Sequence, residues 1–285
     1  MLEKVIGCYV ERLTLSRHDR YKVNLDDLAW RVKHGYDLIV LVNPNNPTGR
    51  HIRRAELESV LRSTPPETRV WIDEAYVDYV GSDESLEHFA AESENIIVCK
   101  SMSKVYALSG MRVAYLCASP HQLSELVSLT PPWVVGLPAQ VAAVRALEDA
   151  AYYEECYRTT HLLRTEMREA LRAIGIRDIV PSEANFLMFH LDGCHPPGEQ
   201  VIEQARKAGV FIRGVASMGS NLDSRALRIA IKDPPGNERI LQTLQRCVLP
   251  LHYGDAERVA AQHSVVGRAL DTTAALVSAD VAGLY

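Results

Sequence analysis

Four short apolar runs punctuate the first half of the chain: "YDLIVLVNP" (36–44), "TRVWIDEAY" (68–76), "NIIVCK" (95–100) and "RVAYLCAS" (112–119). They are dense in Val, Ile and Leu without strict alternation, which is the pattern of strands buried on both faces. Between the first two, "RAELESVLRS" (54–63) has the spacing of an amphipathic helix. Strand–helix–strand repetition predicts an α/β unit with a largely parallel sheet. Such sheets bind ligands beyond the carboxyl ends of their strands. The loops after Val42, Ile72 and Val98 are therefore the places to look for chemistry.

Beyond Arg112 the pattern changes. Ser119 and Pro120, with Gln122 following, predict a capped helix start. From about Pro138 to Ala173 the chain is almost uninterrupted helix former, and Gly175 is placed to cap it. Three strand-like runs follow, "ANFLMFHL" (184–191), "GVFIRGV" (209–215) and "ALRIAI" (226–231), then a helical "PGNERILQTLQRCV" (235–248). This predicts a smaller α+β domain over 151–250, after a large domain over 1–150. Residues 251–285 show no clear period and stay unassigned. No internal repeat is visible.

At 285 residues the chain can bury a sizeable core, and 47% hydrophobic with 24% charged residues is ordinary for a soluble globular protein. A net charge of -5 argues against nucleic acid as a main partner, since no basic stripe is available to neutralise phosphates. The six cysteines are scattered without a C-x-x-C pair and read as reduced thiols of a cytoplasmic protein. Cys194, His195 and His190 fit no standard metal spacing, so no metal is expected. "MLEKVIGCYV" lacks a cationic start and a cleavage site, so no signal peptide is expected. No apolar run is long enough to span a bilayer.

The strand ends carry the candidate chemistry. "NPNNPTGR" (43–50) makes a rigid turn with side-chain amides on show. "VWIDEAY" sets Asp73 and Glu74 just past a buried strand, where a carboxylate is costly without a cation or metal. A P-loop reading fails, because none of the seven lysines follows a glycine. "SMSK" (101–104) matches the S-x-x-K of serine β-lactamases, but the S-D-N and K-T-G elements are absent. Together, an amide loop, an acid with a nearby tyrosine, and a lysine with two serines and an arginine are what a pyridoxal phosphate site requires. Such a site needs a lysine to bond the cofactor aldehyde, an acid to keep the pyridine nitrogen protonated, and hydroxyls with a guanidinium for the phosphate.

"NPNNPTG", "DEAY" and "SMSKVYALSGMR" resemble the fold-type I aminotransferases of class I/II, and most closely the histidinol-phosphate aminotransferase branch. The resemblance continues through "PPWVVGLPAQ" (131–140), "ANFLMFHL", "VFIRG" and "LRIAI", covering about residues 5 to 248. It implies a pyridoxal phosphate-dependent transferase fold, a homodimer, and small amino-donor and 2-oxo acid substrates. It implies that Lys104 carries the cofactor and moves the proton between substrate and cofactor carbons. Asp73 would hold the pyridine nitrogen. Tyr76 and Asn46 would bond the ring's phenolic oxygen, with the Asn46–Pro47 bond often cis in the family. Ser101, Ser103 and Arg112 would bind the cofactor phosphate. Arg228 would grip the anionic end of the substrate, and Arg213 a substrate phosphate; on composition alone both read as ordinary strand-end arginines.

Members of the family carry roughly a hundred residues before the point matching Met1. Those residues hold a phosphate-binding Gly-Ser turn, a stacking aromatic ring and a strand that lies between those matching "CYVERLTL" (8–15) and "YDLIVLV". The sequence is thus expected to be a truncated product or fragment, with weak cofactor binding and an unpaired edge at "YDLIVLV". Two rival readings remain open at this level: a decarboxylase similar to threonine-phosphate decarboxylase, and a non-catalytic remnant.

Overall fold

The computed structural model describes residues 2–248. The tail expected to be unassigned, 251–285, lies outside the described residues. Two four-stranded sheets organise the chain. The first has the order β1 (Leu38–Val42), β2 (Arg69–Asp73), β3 (Ile96–Ser101), β4 (Ala114–Cys117). β1 pairs with β2 and β2 with β3 in parallel, whereas β4 returns antiparallel to β3. The parallel pairings bring the ends of β1, β2 and β3 to one edge. Val42 lies opposite Asp73, and Asp73 opposite Cys99.

The helices α2 (Arg54–Leu61) and α3 (Glu87–Ala91) make these crossovers, and α1 (Leu25–Arg31) precedes β1. Asn24 starts α1 by accepting from the backbone N–H groups of Asp26 and Asp27, at 3.0 and 3.2 Å. Leu28, Leu57 and Leu61 pack with Val70, Ile72, Ile96 and Val98 into one core. β2 buries Val70 and Ile72 but leaves Trp71 half-buried, β4 has no buried residue, and of the four strands β3 is the one buried as its composition predicts. β1 is not: Leu38 and Val40 are 42% and 47% exposed. Among the described residues no strand flanks its outer side, and the segment 8–15, which matches a strand of the family, has no regular structure.

The second sheet has the order β5 (Asp178–Ile179), β6 (Phe186–His190), β8 (Ala226–Ala230), β7 (Arg213–Gly214), all antiparallel. Every residue of β6 is buried. The sheet packs on α6 (Ala150–Ala173), α7 (Gly198–Lys207) and α8 (Pro234–Val248) through Met167, Leu171, Leu187, Phe189, Val201 and Leu244.

The expected helix from Pro138 to Ala173 is two helices, α5 (Leu137–Glu148) and α6, broken at Asp149. Gly175 does close α6, at φ +96, with Gly175 N–H donating to Arg172 and Ile176 N–H to Leu171. The capping expectation at α4 (Pro120–Leu129) is met only in backbone. Ser119 makes no side-chain cap, and Gln122 instead donates to the Ser93 and Ile96 carbonyls. The run 209–215 contributes only two strand residues, because β7 is a short edge. Elements α1, α3, α7 and β5 were not anticipated from the pattern.

Candidate active site

The loop after β1 is built by two of its asparagines and presents the third. Asn43 bonds both backbone groups of Ile52, and Asn45 Oδ1 accepts from Thr48 Oγ1 at 3.0 Å. Both Asn43–Pro44 and Asn46–Pro47 are cis. Gly49 lies at φ +70, and a Cβ there would sit 2.0 Å from Ser182 Oγ. Only glycine allows this approach, which is sealed by Glu183 N–H donating to the Gly49 carbonyl at 2.8 Å. The loop is thereby pinned against the segment that leads into β6.

That contact carries Asn46 to the second sheet. Its Oδ1 accepts from Arg228 Nη1 at 2.5 Å. The Arg228 guanidinium lies over the Phe186 ring at 4.7 Å, and Tyr76 meets the same ring edge-on at 5.2 Å. Burial pushes the Tyr76 phenol up, with Arg228 pulling the other way. Burial also pushes Arg228 down, and Tyr76 counters it, while the like charge of Arg213 adds to the fall. Arg213 stands opposite Arg228 in the β7–β8 register. Among the described residues no carboxylate makes an ion pair with either arginine. Two neighbouring guanidinium groups with no carboxylate partner among the described residues have the chemistry to accept an anion.

Asp73 closes β2. Its Oδ1 accepts from the Ala75 N–H at 3.0 Å, and no cation pairs with it among the described residues. Burial pushes its carboxyl above the usual range, and the Ala75 bond offsets this only in part. A half-buried carboxyl with this bias is stabilised as the anion by a cation placed against its open oxygen. Lys104 follows β3 on an exposed turn, and its amine makes no ion pair among the described residues.

The remaining expected residues are less well gathered. Ser101 Oγ accepts from the Ser103 N–H at 3.4 Å, and both serines are half-buried. Arg112 is exposed, in left-handed backbone at φ 53, and donates to the carbonyl of Ser109. No hydrogen bond joins it to Ser101 or Ser103 among the described residues. The structure therefore brings Asn46, Tyr76, Arg228 and Arg213 together and sets Asp73 and Lys104 on adjacent strand ends. It leaves the three phosphate candidates as separate groups on one loop. Sequence reasoning missed Phe186, the ring shared by Tyr76 and Arg228, because it reads as one more apolar position of a strand.

Comparison with known proteins bears on this arrangement. The description "Aminotransferase class I and II" matches residues 4–244. Histidinol-phosphate aminotransferase of Anaeromyxobacter sp. is 34% identical over 229 residues, 80% of this chain and 61% of the relative. Histidinol-phosphate aminotransferase 1 of Cupriavidus pinatubonensis is 31% identical over 230 residues, 80% of this chain and 60% of the relative. The chain thus spans about three fifths of the length of these curated relatives. Among solved structures, a decarboxylase from Sulfurospirillum multivorans is similar with a TM-score of 0.77 and 25% identity, covering 85% of this chain and 71% of its own. The histidinol-phosphate aminotransferase from Clostridium acetobutylicum is similar with a TM-score of 0.73 and 25% identity, covering 80% and 68%. Matched over most of its length, and with the amide loop, acid and lysine at successive strand ends, the chain belongs to the aminotransferase class I and II family.

Proposed function

We propose that this chain is the bulk of a pyridoxal phosphate-dependent aminotransferase, acting on a histidinol-phosphate-like amine or an amino acid and a 2-oxo acid. The observation that carries the reading is Asp73, a half-buried carboxyl at a strand end with its pKa raised by burial and no cation paired with it among the described residues. A protonated pyridine nitrogen is the partner such a group lacks. The bound cofactor would supply an electron sink for a carbanion at the amine-bearing carbon.

The chain's own residues do the rest. Asp73 keeps the ring-nitrogen proton in place. Lys104 Nζ would hold the cofactor and would serve as the proton carrier at the amine-bearing carbon. Tyr76 and the Asn46 amide nitrogen donate toward the phenolic oxygen, since the Asn46 oxygen is taken by Arg228. Ser101, Ser103 and Arg112 hold the cofactor phosphate. Arg228 and Arg213 bind the anionic ends of the substrate. The exposed apolar row Leu137, Val141 and Val144, with Trp133 93% exposed nearby, supports a second copy of the chain as partner. Among the described residues no helix is long and apolar enough to cross a membrane, and a cytoplasmic location accords with that.

Loading the chain with pyridoxal phosphate, reducing with borohydride and mapping peptides tests this reading. Label is expected on Lys104 alone, with amino-group transfer from histidinol phosphate to a 2-oxo acid. Label on Lys100, or none, would overturn it. The similarity to a decarboxylase structure favours a second reading, in which the same residues act and carbon dioxide is lost. Release of carbon dioxide without a 2-oxo acid requirement would select it.

A further inference from the structure

Lys100 and Lys104 differ in surroundings although four residues apart. Lys100 lies on β3 and is 2% exposed. Its Nζ is 3.1 Å from Asp78 Oδ1, 3.5 Å from Glu87 Oε2 and 3.9 Å from Glu74 Oε2. The three acids come from separate points of one stretch. Glu74 directly follows Asp73, Asp78 sits in the single helical turn Val77–Tyr79, and Glu87 opens α3.

The cluster is closed by further bonds. The Leu86 N–H donates to Glu74 Oε1 at 2.8 Å. Ser85 Oγ lies 2.6 Å from Glu74 Oε2 and 3.0 Å from Glu87 Oε2. One hydroxyl carries one proton and can donate to only one of these carboxyls. The second contact is satisfied when that carboxyl keeps a proton of its own. Burial pushes the Glu74 carboxyl up, in the same direction. The result is a charge network in which Lys100 and Glu74 are buried and bonded, Asp78 is nearly buried with Oδ2 left unpaired, and Glu87 reaches in from a partly exposed position.

Well-packed apolar side chains would fill this space at lower cost, so such a network is not an economical source of stability. What it does accomplish is geometric. It ties the stretch that begins at Asp73 to the strand that leads into Lys104. The same stretch also reaches forward: the Tyr79 hydroxyl donates to the Lys104 carbonyl at 3.4 Å. From α6, the Tyr157 hydroxyl donates to the Val105 carbonyl at 3.2 Å.

We propose that Lys100 is a positioning residue, holding the turn after Asp73 and the segment carrying Lys104 in fixed relation through Asp78, Glu74 and Glu87. The roles of Asp73 and Lys104 rest on the function proposed above; the coupling of the two segments does not. The test is amide hydrogen exchange on the whole chain without cofactor, comparing wild type with Lys100→Met, Lys100→Arg and Asp78→Asn. Lys100→Met is expected to speed exchange at least about tenfold in peptides spanning 73–80 and 101–107, and to leave those spanning 186–190 and 226–230 unchanged. Lys100→Arg is expected to restore protection, and Asp78→Asn to give a smaller loss in the same two peptides. If Lys100→Met does not fold, Asp78→Asn decides by the same criterion. Unchanged exchange, an equal loss across both sheets, or no rescue by arginine would overturn the proposal. Because the readout needs no cofactor, a chain that bound none would sink the proposed function and leave this result standing.

Discussion

The two sheets solve different problems with the same chain. Around the second sheet the interior is mostly apolar, with Phe189, Leu187 and Leu227 each at most 1% exposed, and its buried His190 and Arg164 bond neutral groups, the Tyr21 hydroxyl and the Ala184 carbonyl. Around the first sheet a lysine and a glutamate are buried with the apolar residues, and one edge strand leaves leucine and valine side chains in the open. The second sheet is a platform: it holds Arg213 on its edge strand β7 and Arg228 opposite it on the neighbouring β8. The first sheet must present an acid and a lysine from adjacent strand ends, and its interior charges lie directly behind them. A fully buried ion pair, Lys100 with Glu74, thus lies behind the strand ends that present Asp73 and Lys104, whereas the buried Arg164 and His190 beside the second sheet are reached by exposed carboxylates, Glu183 and Asp223.

Four measurements would break or sharpen that contrast. The largest effect is expected at the reacting end of the first sheet. Asp73→Asn should leave cofactor binding detectable and reduce turnover by about a hundredfold or more, because the amide cannot hold the ring-nitrogen proton. Equal turnover in variant and wild type would remove Asp73 from the site.

Next comes a pair of core and edge truncations read by denaturant unfolding. Phe189→Ala should cost about 3–5 kcal/mol, the usual range for a buried aromatic ring. Val40→Ala, on the exposed edge strand, should cost no more than about 0.5 kcal/mol. A comparable cost at Val40 would mean that β1 is covered in solution, for example by another copy.

Arg213→Ala should weaken phosphorylated amines by about 1.5–3 kcal/mol relative to plain amino acids, the value of a hydrogen bond to a charged group. Competition between the two substrate types checks this. Equal losses would show that Arg213 does not discriminate phosphate.

The smallest effect is a pair of opposed pH dependences. Asp73 and Glu74 have folded pKa values raised by burial. Between the unfolded and the raised folded value the native state binds more protons, so stability falls as pH rises through that window. His190, in the second sheet, has its pKa lowered by burial and by Arg17. The unfolded state then binds more protons, so stability is full above the ordinary histidine value and is lost as pH falls through it. Local exchange rates across pH should show the first region loosening as pH rises from the carboxylate range. The second should loosen as pH falls below about 6.5. Parallel responses in the two regions would contradict the assignment.

Much of this was legible in the linear chain. β2 and β3 declare themselves as continuous apolar runs, and helix α6 ends where Gly175 can take a positive φ. The loop, acid and lysine could be read together because each follows a strand and because parallel pairing sends successive strand ends to one edge. The residues around Arg228 were harder. Asn46 and Arg228 are separated by most of the chain, and Phe186 has no local feature that marks it as the ring beneath a guanidinium. β1 reads like β2 but stands at an edge, a property of its neighbours and not of its composition.

By itself, then, the sequence determined the elements whose causes are local. These are the apolar runs of β2, β3 and β6, the amide turn at 43–50, and the identity of Asp73 and Lys104 as strand-end groups. Only the tertiary structure decided which charges are buried and with what. Lys100 and Lys104 look alike in the chain, yet one meets three acids and the other faces outward. That difference arises because β3 ends at Ser101: Lys100 sits on a covered face of the strand, and Lys104 lies on the turn beyond it. What lies against each is set by packing between segments far apart in sequence, and the energy of a charge depends on its surroundings far more than on its neighbours along the chain.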